Sequence, residues 1–314
     1  MKYFLIFCSI IILIISPFFG QIELTFSNIF DTSKMEYQIF WELRLPRTIL
    51  AFFVGAILAL SGLVFQTTFR NPMSSPFTLG VASGATLFTA IAIILGLSSF
   101  ISFFAFLGSL ATIIILFMIA SRFHSSETSS LLLVGIALSF FYSASLMVLF
   151  FISNLEESYE IVRFTMGSLD IVGFKDLYLV VVAGLFILFI VKYFQNSIKL
   201  LLVSNQFAHL KGCNVKRTNY ILLISVSIVV GICVSITGPI GFVGLIVPHI
   251  VKTITQKSAD KLIGAIFFYG GVFLVFCDLV ARNLVTNSDI PIGVVTSFLG
   301  APFFIYLILK RKKQ

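Results

Sequence analysis

The chain has 314 residues, of which 59% are hydrophobic and only 11% are charged, and its formal net charge is +8. A soluble domain is roughly half apolar and about a quarter charged, so this chain lacks the polar residues that would cover a water-facing surface. Its mean hydropathy of +1.09 indicates a polytopic membrane protein without an attached soluble domain. The four cysteines are scattered without metal-ligand spacing and are interpreted as small buried hydrophobic residues.

Apolar runs that are long enough to cross a bilayer recur along the whole chain. The first run is compatible with a signal peptide, but it is long and no small-residue cleavage site follows it, which favours an uncleaved first span. The run 220–255 is compatible with one kinked span or with two short ones. We predict an all-α membrane protein of about ten spans, at 3–20, 48–67, 76–97, 100–120, 130–152, 177–195, 220–237, 239–255, 262–282 and 291–309.

The positive-inside rule decides how the run 220–255 is divided. The basic C-terminus and the basic stretch 192–217 both belong on the cytoplasmic side, which requires two spans within 220–255. With both termini cytoplasmic, 15 of the 21 basic residues lie inside, and 11 of the 13 acidic residues lie outside or at the outer edge. The overall basicity therefore reflects topology, and no nucleic-acid partner is needed to explain it.

The stretch 41–84 combines a charged edge, a span, a polar break and a second span. Its apolar run carries small residues at which another helix can pack closely. The break then follows at an Arg-Asn-Pro sequence. The residues that we expect to matter for packing or translocation here are Gly55, Gly62, Gln66, Asn71 and Pro72.

Three arginines lie at span edges on the side that the positive-inside rule disfavours: Arg44, Arg47 and Arg282. Such arginines either extend to the membrane interface or bind carboxylates of an external protein. Asp278 stands four residues before Arg282, so the two side chains should form an ion pair on one helix face.

A weak internal repeat relates the two halves of the chain. Gly55, Gly62 and Pro72 have the same spacing as three residues found 176 positions later, which are Gly231, Gly238 and Pro248. Five predicted spans separate the copies, so their topologies are opposite, as in transporters built from inverted repeats. We expect a single transmembrane domain, 1–314, with repeat halves of about 1–175 and 176–314.

Two further segments are unusual. The glycine-rich sequence GPIGFVGLIVPH at 238–249 predicts tight packing or a departure from regular helix, which membrane depth tolerates only in buried or cavity-facing segments. Its notable residues are Gly238, Gly241, Gly244, Pro248 and His249, and we interpret the histidine as a structural hydrogen-bonding residue. The cytoplasmic segment 196–218 predicts two short helices, which either lie at the membrane interface or dock a cytoplasmic partner.

Enzyme motifs are absent from the sequence. There is no G-x-x-x-x-G-K-[ST] phosphate loop, so the chain should not hydrolyse ATP itself, and there is no zinc or nucleophile motif. A proton-coupled carrier is expected to place acids at mid-membrane, and the predicted spans place none there. A gradient-driven secondary transporter and a structural membrane protein nevertheless remain alternatives at this point.

Several motifs together resemble the FecCD-type permeases, which are membrane subunits of ABC importers for ferric siderophores, haem and cobalamin. The resemblance runs from about residue 41 to the C-terminus. It is carried by LRLPR at 43–47, the segment 66–72 ending in RNP, PFTLG at 76–80, GPIGFVGLIVPH at 238–249, Asp278 with Ala281 and Arg282, and IPIGVVTSFLGAPFF at 290–304.

The resemblance implies a type II ABC importer permease in the bacterial inner membrane. Two such permeases, as a homodimer or a related heterodimer, would form a pathway at their interface and work by alternating access. Two cytoplasmic ATPases would bind the segment 196–218 and hold ATP and Mg, so this chain itself would bind no cofactor and no metal. An extracytoplasmic binding protein would deliver the cargo, expected to be a ferric siderophore, with haem or cobalamin as alternatives.

The resemblance also assigns roles to residues. Arg44, Arg47 and Arg282 match arginines that pair with glutamates of the binding protein. The ATPase-coupling residues are Asn205, Phe207, Ala208, Leu210 and Gly212. The family motif Gly-Glu-x-x-Ala-x-x-Leu-Gly reads SNQFAHLKG here, and the lost acid and leucine favour a matched ATPase partner. The motif at 290–304 adds translocation or packing residues, namely Pro291, Gly293, Gly300 and Pro302.

Overall fold

A computed structural model of the chain describes residues 2–22, 24–25, 28–122, 128–255, 259–285 and 288–311. Every regular element within these ranges is a helix, as predicted. Two short 3-10 turns lie at Asn28–Phe30 and Ser98–Phe100, and a π-helix lies at Ile39–Arg44. The α-helices are α1 (Lys2–Ile15), α2 (Met35–Gln38), α3 (Leu45–Thr68), α4 (Val81–Ile94), α5 (Ile101–Arg122), α6 (Thr128–Ile152), α7 (Leu155–Met166), α8 (Lys175–Tyr193), α9 (Gln195–Val203), α10 (Asn205–Leu210), α11 (Val215–Thr237), α12 (Val243–Thr255), α13 (Ala259–Asn283) and α14 (Ile292–Arg311).

Each predicted span contains one apolar helix, although α1, α4 and α12 are shorter than the spans predicted for them. Six segments of the described chain are long and apolar enough to cross a membrane, and four shorter apolar helices complete the set. The run 220–255 is divided as the charge argument requires, because α11 ends at Thr237 and α12 begins at Val243. Two elements were not predicted: the amphipathic helix α7, and the helical extension of α3 back to Met35 through the π-helix. Both are too polar to register as apolar runs.

Helix α3 lies at the centre of the bundle, because α8, α11, α12 and α13 all pack on it. Its side chains at Leu50, Ile57 and Leu60 are fully buried. Close packing depends on small residues. A Cβ atom at Gly55 would lie 2.3 Å from the carbonyl oxygen of Gly270 on α13, so a larger residue would separate the two helices.

The two halves of the chain pack on each other through equivalent pairs of helices. Gly55 on α3 packs against α13, and Gly231 on α11 packs against Phe106 and Ser109 of α5. In each case the second helix of one half meets the fourth helix of the other half, which is the relation that an inverted five-span repeat requires. The other sequence matches differ locally. Gly62 lies within α3 whereas Gly238 caps α11, and Pro72 lies in a connection whereas Pro248 lies inside α12.

The bundle has two distinct ends, which we name by the charge-based topology. The outer face is the end at which Arg47 meets acidic side chains, and the inner face is the end that carries α9 and α10. Arg70, which follows α3, lies beside Val203 of α9 at the inner face. Five charges used in the topology prediction lie outside the described residues: Glu23, Glu127, Lys257, Lys312 and Lys313.

Candidate functional site

Arg47, in the first turn of α3, binds three carboxylates at the outer face. Its Nε donates to Oδ1 of Asp278 at 2.9 Å. Its Nη1 donates to Oδ1 of Asp170, in the connection from α7 to α8, at 2.7 Å, and to Oδ2 of Asp289, just before α14, at 2.7 Å. One guanidinium therefore joins α3, α13 and two outer connections.

The three carboxylates differ in their access to solvent. The side chain of Asp278 is 0% exposed, whereas those of Asp170 and Asp289 are 50% and 37% exposed. The Arg47 side chain is 14% exposed. Exposed ion pairs are individually weak, because water solvates both partners and competes with the pairing. The contact of Arg47 with Asp278 is therefore fixed inside the protein, while its other two contacts lie at the surface.

Arg282 and Asp278 form the ion pair that the sequence predicted, with Nη2 of the arginine 3.0 Å from Oδ2 of the aspartate. The arginine also donates from Nη2 to the hydroxyl of Ser16 at 3.0 Å and from Nη1 to the carbonyl oxygen of Phe19 at 3.5 Å. Its side chain is 5% exposed. These contacts tie the chain segment after α1 to the outer end of α13.

Arg44, in the π-helix, is also buried. It donates to the carbonyl oxygens of Phe18 and Ile22, in the segment that follows α1. The three predicted docking arginines thus share one region, but only Arg47 offers a solvent-facing edge, and the docking role of all three stays a prediction.

We call these six side chains the outer cluster: Arg44, Arg47, Arg282, Asp170, Asp278 and Asp289. Three positive charges face three negative charges, so the cluster is neutral as a whole. The sequence analysis missed the roles of Asp170 and Asp289. Both lie in connections far from Arg47 along the chain, and no local spacing rule links them to it.

The outer connections are held in place by close backbone contacts. Gly238 has φ +66°, and a Cβ atom there would lie 2.4 Å from the carbonyl oxygen of Phe164 in α7. At Gly293, in the first turn of α14, a Cβ atom would lie 2.4 Å from the carbonyl oxygen of Met166. The end of α7, the link between α11 and α12, and the start of α14 are therefore in direct contact beside the outer cluster.

The helix pair α9 and α10 forms the second candidate site, at the inner face. The hydroxyl of Ser204 accepts from the backbone N–H of Phe207 at 2.9 Å and caps α10. Ala208 is 0% exposed and holds α10 on the body of the protein, whereas Phe207 and Leu210 are 39% and 83% exposed. Gly212 follows with φ +81°, a backbone conformation that favours glycine.

The exposed apolar side chains of α10 suit contact with a partner better than contact with water. Asn205, at the start of α10, keeps a buried side-chain oxygen without a hydrogen bond among the described residues. The five predicted coupling residues thus share one short segment. Their role in binding an ATPase stays a prediction.

Gln66 connects α3 to α12 where Pro248 interrupts the helical hydrogen bonds of α12. Proline has no backbone N–H, so the carbonyl oxygen of Gly244 loses its helical partner. Nε2 of Gln66 donates to that oxygen at 3.1 Å, and Nζ of Lys252 donates to Oε1 of Gln66 at 3.4 Å. This close approach of α3 to α12 requires glycine at position 62, because a Cβ atom there would lie 1.8 Å from the Gly244 carbonyl oxygen.

The remaining predicted translocation and packing residues do not gather at one place. Each has a local role or position in the fold. Asn71 accepts from the backbone N–H of Met73 beside Pro72, Gly241 faces the ring of Phe77, His249 is half-buried in α12, Pro291 precedes α14, Gly300 packs on Phe242, and Pro302 lies inside α14.

Metal-binding clusters are not found within the described ranges, where no group of three or more His, Cys, Asp or Glu residues is arranged to hold an ion. The charged groups of the outer cluster are instead arranged as ion pairs and hydrogen bonds with one another.

The profile of the FecCD transport family matches residues 7–310 of the chain. The chain belongs to the FecCD transport family. It is 34% identical, over 323 aligned residues, to the hemin transport system permease protein HmuU of Yersinia pestis, covering 99% of this chain and 96% of that one. It is 38% identical to a probable iron chelatin transport system permease protein of Helicobacter pylori, covering 87% and 83% of the two chains.

A solved structure supports the same assignment. It shows a transporter assigned to the metal-chelate type of ABC transporters in an inward-facing conformation, with a TM-score of 0.86 and 29% sequence identity over 98% of both chains. This FecCD chain is therefore a membrane-embedded permease subunit of an ABC importer, and it serves as a transport component. The resemblance that the motifs indicated is confirmed.

Proposed function

We propose that this permease imports a ferric siderophore across the bacterial inner membrane by alternating access, with both termini in the cytoplasm. The observation that carries the proposal is the match to FecCD permeases over nearly the whole chain, among them one named for iron chelatin transport. In this proposal ATP and Mg are bound by a partner ATPase, and the permease itself binds no cofactor.

The pathway in this proposal lies between two permease subunits, identical or related. The exposure of helix α6 supports the proposal of a second permease subunit, because only 11% of its span Leu133–Ile152 is buried in the single chain. Its exposed side chains include Phe140, Phe141, Met147 and Phe151, and α14 exposes Phe298. Lipid covers part of this surface and the second subunit covers the rest. The inverted halves of about 1–175 and 176–314 then surround the pathway from both subunits.

The segment 196–218 is proposed to dock the ATPase at the inner face. The capped helix α10 presents Phe207 and Leu210 on a rigid support, which is the arrangement that a transmitting contact needs. The substitutions relative to the family motif at Asn205 and Lys211 favour an ATPase matched to this permease.

The outer face is proposed to dock the extracytoplasmic binding protein through Arg47. Its guanidinium is already oriented by Asp278 and lies at the surface, so it is preorganised to bind a carboxylate. Arg44 and Arg282 contribute by holding the segment after α1 against the outer cluster, since their own donors bind that segment.

Haem is a second candidate cargo, because HmuU aligns with 99% of this chain. Cobalamin is the third cargo that the family resemblance suggests. In this proposal the binding protein selects the cargo, so ferric siderophore, haem and cobalamin are compared on that protein.

The proposal is tested by isolating the permease from membranes and identifying the companion chains by mass spectrometry. We expect to recover an ATPase and a binding protein. We also expect ferric siderophores to quench the intrinsic fluorescence of the purified binding protein. Binding of haem or cobalamin alone would replace the siderophore assignment. A permease that transports without companions would contradict the whole proposal.

A further inference from the structure

The outer cluster has no net charge, and this affects how an acidic partner can bind there. Arg44, Arg47 and Arg282 are balanced by Asp170, Asp278 and Asp289, so the cluster exerts little net attraction on a carboxylate at a distance. A carboxylate of the binding protein that binds Arg47 therefore competes with the carboxylates already bound there.

The geometry shows which carboxylates are replaceable. Asp170 and Asp289 share a single nitrogen of Arg47, Nη1, and both are substantially exposed, at 50% and 37% of their side chains. Asp278 binds a different nitrogen, Nε, and is fully buried. Among the described residues Nη2 of Arg47 has no hydrogen-bond partner, so a carboxylate that binds both terminal nitrogens would take Nη2 and displace the two aspartates from Nη1.

We propose that docking of the binding protein exchanges salt bridges at Arg47. A carboxylate of the binding protein replaces Asp170 and Asp289, while Asp278 keeps the guanidinium in position. This inference rests on the docking role proposed above and adds a regulation to it. In the undocked permease the two aspartates compete with the binding protein for the same donor.

The exchange also acts on the elements to which the two aspartates belong. Asp170 lies in the connection that Ser168 anchors, since the Ser168 backbone N–H donates to the carbonyl oxygen of Thr237 at 2.8 Å. Asp289 lies directly before α14, whose first turn contacts Met166 of α7. Release of both aspartates therefore loosens the outer ends of α7 and α14 together, which couples docking to opening of the outer face.

The test compares two double variants of the full permease, assembled with its ATPases in lipid nanodiscs. The first is Asp170→Asn with Asp289→Asn, which keeps the side-chain shapes and removes both competing charges. The second is Glu42→Gln with Asp176→Asn, which removes two charges from exposed outer residues that form no ion pair with Arg47. The probe is the binding protein that co-purifies with the permease, and its Kd is measured by biolayer interferometry.

We expect the Asp170/Asp289 variant to bind the probe about three- to tenfold more tightly than the wild type, since each exposed pair contributes modestly. The Glu42/Asp176 control should change the affinity far less, because it alters only the overall electrostatic potential of the outer face and no ion pair of Arg47. Equal gains in the two variants, or a weaker affinity of the first, would overturn the exchange.

The same measurement in an Arg47→Gln background separates the two proposals. If Arg47→Gln leaves the affinity unchanged, the docking role of Arg47 itself is wrong. If Arg47→Gln weakens docking but the two aspartate substitutions give no gain beyond the control, docking stands and the exchange fails. The exchange further requires that the aspartate substitutions have no effect once Arg47 is replaced.

A second readout follows the loops directly. Amide hydrogen exchange in the segments 168–173 and 288–291 should become faster in the wild type when the probe is added, because docking frees Asp170 and Asp289. Added protection of both segments, with no gain in exchange rate, would show that docking tightens the cluster and would contradict the proposal.

Discussion

At the scale of single residues, the protein relies on contacts that only one side chain can make. Gly62 lies against the backbone of Gly244, and Gln66 binds the carbonyl oxygen that Pro248 leaves without a helical partner. The two contacts lie one helical turn apart on α3. Together they fix the crossing of α3 and α12, and each can be tested separately.

Substitution of Gly62 by alanine should destabilise the permease strongly. The added Cβ atom would lie 1.8 Å from the Gly244 carbonyl oxygen, so one helix must shift, and overpacking of this kind costs about 1–3 kcal/mol. Gly264→Ala is the matched control, because no atom lies within 4 Å of a Cβ atom there. The thermal unfolding midpoint in detergent measures both. Equal midpoints for the two variants would show that α3 and α12 are not closely packed at Gly62.

Substitution of Gln66 by leucine should leave the Gly244 carbonyl oxygen without a partner, at a cost of about 1–3 kcal/mol. Replacing Pro248 by alanine supplies a backbone N–H that can form the normal helical hydrogen bond to the same oxygen. The double variant Gln66→Leu with Pro248→Ala should therefore lose less stability than the sum of the single variants. Simple additivity in this cycle would contradict the role assigned to Gln66.

At the scale of helices, hydropathy and charge predicted most of the architecture. Each predicted span contains a helix, although α4 occupies only Val81–Ile94 of the predicted span 76–97. The positive-inside rule correctly divided the run 220–255 into α11 and α12. The ion pair of Asp278 with Arg282 followed from their spacing on one helix, and the structure confirms it. These features depend on local sequence, which one chain is sufficient to reveal.

The parts that were not predicted depend on contacts between distant segments. Asp170 and Asp289 reach Arg47 only because the connections after α7 and before α14 fold over the outer end of α3. Helix α7 was missed because its mixed polarity gives no apolar run, although Asn154 and Glu157 form a capping box at its start. That capping box was the available signal.

The prediction at the scale of helices concerns the coupling of α10 to the partner ATPase. Phe207→Ala removes a 39% exposed aromatic side chain without altering the Ser204 cap, and loss of such an interface contact costs about 1–2 kcal/mol of binding. We expect uptake to fall while ATP hydrolysis loses its stimulation by loaded binding protein. Phe186→Ala on α8 is the control, because Phe186 is a 47% exposed phenylalanine outside the segment 196–218. Full coupling in Phe207→Ala would place the ATPase contact elsewhere.

At the scale of the whole molecule, the permease combines a central helix with two sites at opposite ends. Helix α3 bears Arg47 at the outer face, and its inner end lies beside α9. A change at the outer cluster can therefore reach the helix pair α9 and α10 through one rigid element. We propose that through this arrangement a chain without a phosphate-binding loop takes part in ATP-driven transport.

We propose that a partner ATPase drives this permease. The most direct measurement is uptake of radioactive ferric siderophore into proteoliposomes that contain the permease with its ATPase and binding protein. We predict uptake that requires ATP inside the vesicles and continues when an ionophore collapses the proton and sodium gradients. Uptake by the permease without the ATPase, abolished by the ionophore, would contradict the account and identify a gradient-driven carrier.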